Sequence, residues 1–82
     1  MIKPSFYNIY PLFTDLAHQG KFDYIDLILE CSINCEDIDL CLALLTASLP
    51  YKSKLPHRAD LYDMAYWNYR DEDKKGTFEG LR

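Results

Sequence analysis

Residues 38–49 read Ile-Asp-Leu-Cys-Leu-Ala-Leu-Leu-Thr-Ala-Ser-Leu, and this run decides the fold. Apolar side chains recur around nearly the whole helical wheel. A surface helix carries one apolar stripe, whereas a helix apolar on most sides must be buried on most sides. At about 12 residues and 1.5 Å per residue the run spans about 18 Å, well short of a bilayer core of about 30 Å. The pattern therefore predicts the central buried helix of a small all-α bundle, over about 35–48. Asn34 is its expected N-cap, with Glu36, Asp37 and Asp39 placing negative charge near the positive end of the helix dipole. Pro50 is the expected stop.

Upstream, Ile9, Leu12, Phe13, Leu16 and Ala17 repeat at helical spacing and predict a first helix over about 9–19. Asn8 is its expected cap, Pro11 falls in its first turn, and Gly20 sits where a left-handed residue ends a helix. Phe22, Ile25, Ile28 and Leu29 make the stripe of a short second helix, Phe22 to Cys31. The link between the two is so short that they must fold back as an αα-hairpin. The block from Leu16 to Glu30, LAHQGKFDYIDLILE, resembles a hairpin of a helical repeat of the tetratricopeptide or pentatricopeptide sort. The likeness rests on the Gly20 turn and the leucine spacing. It implies hairpin packing rather than a repeat array, because no second copy follows and such arrays need about three units.

Downstream, residues 50–56 read as a loop, and Pro56 suits the first position of a long aromatic-rich fourth helix, from about His57 to Asp73. Ala59, Tyr62, Ala65, Tyr66 and Tyr69 share its expected buried face, flanked by Leu61, Met64 and Asn68, and Trp67 falls off that stripe. The division is a single helical domain over 1–75 and a flexible C-terminal tail over 76–82. Phe78 and Leu81 are the tail residues able to dock on the bundle or on a partner.

Composition narrows the function classes. The chain has 82 residues, of which 49% are hydrophobic and 15% aromatic, which points to a packed core rather than disorder. Seven tyrosines and one tryptophan exceed what one small core easily hides, so some are expected at the surface. Three cysteines, Cys31, Cys35 and Cys41, are an odd number for a disulfide framework and are read as reduced small hydrophobes. No Cys-x-x-Cys pair exists for zinc, and no metal or cofactor is expected. The opening MIKPSFYNIY lacks the charged and apolar regions of a secretory signal, so a cytoplasmic, membrane-free protein is expected.

Catalytic motifs are missing. His18 and His57 lie near helix ends with no nucleophile context, the serines sit in no nucleophile elbow, and no glycine-rich phosphate loop occurs. The expectation is a protein that is not an enzyme. Three surfaces remain. The first is aromatic: Tyr66, Trp67, Tyr69 and Arg70 are residue types enriched at protein–protein hot spots. A protein partner is the leading expectation, in the form of a small acidic bacterial or phage accessory protein, or an anti-defence inhibitor of a larger complex. Homodimerisation through the aromatic face is a variant of the same signal. The second is basic: Lys52, Lys54, His57 and Arg58 form a small cluster suited to nucleic-acid phosphates. The chain's formal net charge of −4 counts against that alternative. The third is acidic: Asp15, Asp23, Asp26 and Glu30 belong to an N-terminal half with two lysines and seven acids, able to mimic nucleic acid before a basic groove.

Overall fold

The computed structural model describes residues 6–34, 36–72 and 76–82. The described residues form four α-helices: α1 Phe6–His18, α2 Phe22–Cys31, α3 Ile38–Ser48 and α4 Pro56–Tyr69. Two 3₁₀ segments complete the bundle, one at Leu49–Lys54 and a C-terminal one at Phe78–Leu81. No strand occurs among the described residues, so the bundle is all-α as the pattern of 38–49 predicts. None of these helices is long and apolar enough to cross a membrane.

The central helix behaves as its composition requires. Cys41, Ala43, Leu44, Leu45, Ala47 and Ser48 are all buried along α3. α1 packs chiefly on α3 and α2 chiefly on α4, while α1 and α2 also touch as the expected hairpin. Phe13, Ile25, Leu29, Leu45, Leu61 and Phe78, each fully buried, are the large side chains of the core. Gly20 closes α1 at φ +71°, with its own amide bonded to the Ala17 carbonyl at 3.0 Å and the Lys21 amide to the Leu16 carbonyl at 2.8 Å. Those two crossed bonds make a Schellman motif, whose left-handed residue is the reason for glycine there.

Several boundaries differ from the sequence reading. α1 begins at Phe6, so Asn8 is inside it rather than capping it. Pro11 then falls in the second turn, where it forgoes one helical hydrogen bond. α3 begins three residues later than expected, because Asp37 and not Asn34 is its cap. Asp37 is extended (φ −119°, ψ 110°), and its Oδ1 accepts from the amides of Asp39 and Leu40 at 2.9 and 3.3 Å. Asn34 belongs to the turn that unwinds α2, where the amides of Ser32 and Ile33 still bond back to α2 carbonyls. Pro50 ends α3 but opens a 3₁₀ segment rather than a loop. α4 stops at Tyr69, short of Asp73; Asp71 and Glu72 would otherwise lie at the negative end of its dipole.

The buried face of α4 is also shifted. Arg58, Leu61, Tyr62 and Ala65 are buried, whereas Ala59, expected within the stripe, is exposed. The last turn is part of the fold: Phe78 is fully buried and Leu81 is 7% exposed, both docked in the core. Cys41 is buried and Cys31 exposed, while Cys35 lies outside the described residues.

Candidate binding groove on the fourth helix

A ladder of rings runs along α4 from its buried line out to solvent. Tyr62 and Tyr66, four residues apart and so on one helix face, stack at 6.0 Å between centroids with 17° between planes. Trp67 meets Tyr66 edge-on at 6.0 Å and 84°. The Arg70 guanidinium lies over the Trp67 ring at 4.8 Å from its centroid, within cation–π range. Trp67 nevertheless remains 66% exposed, the highest value among the large exposed apolar side chains. Its two neighbours touch the indole without burying it.

Tyr66 is half-buried against the core, and so is Tyr69, which faces the bundle more than solvent. Arg70 also lies 3.9 Å from the exposed Asp71 carboxylate. Tyr62, Asp63, Tyr66 and Trp67 on α4 face Glu79 and Arg82 of the C-terminal segment across a groove of about 440 Å³. Burial raises the Tyr62 phenol above its usual pKa, with the nearby Arg82 cation opposing the shift. The groove thus joins three aromatic rings and Asp63 of α4 to one acidic and one basic residue from the last turn. Of the residues that sequence reasoning named for this surface, Tyr66 and Trp67 line the groove and Tyr69 and Arg70 do not, while Asp63 and the opposite wall, Glu79 and Arg82, went unnamed. The signal for that wall was Phe78 and Leu81, whose burial brings the turn alongside α4.

The expected basic cluster is tied back to the bundle. Lys52 Nζ donates to the main-chain oxygen of Arg82 at 3.3 Å. Lys54 Nζ sits over the Phe22 ring at 4.4 Å. His57 bonds Asp26 twice, amide to Oδ1 at 2.9 Å and Nδ1 to Oδ2 at 2.6 Å. The hydrogen bond to Asp26 raises the His57 pKa; burial opposes this, while the charges of Asp26, Glu30 and Asp60 add to it. Arg58 is 3% exposed, so the guanidinium expected to reach phosphate in solvent lies inside the molecule. Burial lowers its pKa from the usual arginine value. Its Nε donates to Ser48 Oγ at 2.9 Å and its Nη2 to the carbonyls of Leu45, at 2.8 Å, and Leu81. Arg58 is therefore the clasp between the end of α3, the start of α4 and the last turn.

The acidic candidates divide in the same way. Asp15 and Asp23 are exposed on α1 and α2. Asp26 is committed to His57, and Glu30 Oε1 lies 3.8 Å from the other imidazole nitrogen. These four residues do not form one free anionic face. Among the described residues, no group of three or more His, Cys, Asp or Glu side chains is placed to hold a metal ion. The chain matches no protein-family model, no curated protein and no solved structure, and the groove's chemistry is the ground on which its function has to be argued.

Proposed function

We propose that the chain is a non-enzymatic binding module that docks on another protein through the α4 groove. The observation carrying this reading is Trp67, exposed yet in contact with the Tyr66 ring and the Arg70 guanidinium. An exposed indole is wasted apolar surface in a monomer, and a preordered one loses little conformational freedom on docking. Trp, Tyr and Arg are also the side chains on which interface energy concentrates. Glu79 and Arg82 at the rim supply charges of both signs, which favour a polar-rimmed protein surface over a lipid face. The form of the proposal is a small cytoplasmic accessory factor or inhibitor of a larger complex, bacterial or phage in kind, on grounds of size and charge. A second copy of the chain is the rival occupant.

Trp67→Ala tests it. The variant is expected to stay folded, with stability within about 0.5 kcal/mol of the parent, because the side chain fills no core site. A hot-spot loss of about 2 kcal/mol would weaken the partner roughly thirtyfold. The measurement is a tagged pull-down at two salt concentrations, with and without nuclease, followed by titration of the recovered protein. A partner held equally by parent and variant, or material lost on nuclease treatment, would sink the reading. Sedimentation of the purified chain separates the homodimer from a foreign partner.

A further inference from the structure

Arg58 is a buried cation whose partners among the described residues are all neutral. Its Nε and Nη2 donate to a serine hydroxyl and two main-chain carbonyls. No described carboxylate lies within ion-pair distance of it. Arginine does not shed its proton in proteins, so the charge must be met where it lies. The Leu45 carbonyl, at the C-terminal end of α3, carries part of that helix's negative pole and offsets some of the cost. It does not supply a full counter-charge.

Arg58 also forms part of the wall of a second cleft, of about 660 Å³, between the first 3₁₀ segment, the start of α4 and the chain's last residue. Lys52 and Arg82 line the same cleft, with the Ser53 side chain beside them and Asp63 as its one acid among the lining residues. Three cationic side chains thus line it against one side-chain carboxylate, in a chain whose formal net charge is −4. Leu55, Pro56 and Tyr62 make the remaining wall largely apolar, which strengthens attraction to a bound charge.

We propose that this cleft binds a phosphate-class oxyanion, with the exposed Lys52 and Arg82 as its donors and the buried Arg58 charge in its inner wall. A phosphoryl group carries about two negative charges near neutral pH, and its several oxygens accept from donors converging from different walls. Lys52 and Arg82 are exposed, and the Lys52–Arg82 main-chain bond at 3.3 Å keeps them together over the cleft. The source is either free inorganic phosphate or the phosphoryl group of a small metabolite. The site does not depend on whether Trp67 meets a partner.

The test uses the full chain, titrated with sodium phosphate, with adenosine monophosphate and with sodium chloride at matched ionic strength. The melting temperature and the Arg58 Nε–H resonance are followed together. Saturable stabilisation by phosphate above the chloride baseline, with a shift of that resonance, is the expected result. Equal affinity for the two phosphates identifies the phosphoryl group alone as the ligand, and tighter nucleotide binding identifies a metabolite-borne one. Lys52→Ala with Arg82→Ala removes two exposed side chains and should raise the dissociation constant at least tenfold. Stabilisation equal to that by chloride, or phosphate affinity unchanged in the double variant, overturns the proposal.

Discussion

His57 and Asp26 tie α4 to α2 across 31 positions of sequence, through one amide and one imidazole bond to the same carboxylate. The imidazole bond is the titratable half of that tie. Asp26 raises the pKa of His57 above its ordinary 6.5, so the folded state holds the proton more tightly than the unfolded chain. The linked stability is fully present below about 6.5 and is lost as pH rises through the raised folded value. Thermal melts across pH 5.5 to 8.5 should therefore show a decline with a His57 component. Asp26→Asn should remove that component, and an identical pH profile in parent and variant would contradict this role. Trp67 was legible at this scale, because a large ring off the apolar stripe has no core to enter. Arg58 was not. Arginine is rarely buried, and here its partners are a serine ten residues back and a carbonyl 23 residues on, a coincidence of tertiary structure that spacing does not encode.

At the scale of elements, helical periodicity located all four helices, and the errors fall at their ends. Asn34 and Asp37 are both good capping residues within one turn, and the local sequence does not choose between them. The structure does, because Asp37 reaches two α3 amides while Asn34 is spent in the turn leaving α2. Removing a working cap costs about 1 kcal/mol, so Asp37→Ala should lower stability by about that amount in urea unfolding. Asn34→Ala should change it by no more than about 0.5 kcal/mol. The reverse order would restore the earlier helix start. On α4 the aromatic spacing gave the right stripe with the wrong centre. Arg58, Leu61, Tyr62 and Ala65 occupy the buried line, and the expected Ala59 lies outside it because a cation, not a methyl group, fills the inner position.

For the whole molecule, the segment past Gly76 decides both the core and the groove. Phe78 is among the largest fully buried side chains, and the turn that carries it supplies Glu79 and the approach to Arg82. Truncating a buried phenylalanine costs about 3–5 kcal/mol, against a total of about 5 kcal/mol or a little more for a domain of this size. Phe78→Ala is thus expected to shift the urea midpoint to less than half its parental value and to weaken any partner held by Trp67. An unchanged midpoint would mean the last turn is not part of the cooperative unit. The interleaved pairing of α1 with α3 and α2 with α4 has a further consequence for biogenesis. A nascent chain that has exposed its first hairpin still lacks the surfaces on which both helices rest. The apolar stripe of α1 is covered only once α3 is complete at Ser48, and that of α2 only once α4 is complete at Tyr69, so the first hairpin cannot shelter itself as it leaves the ribosome.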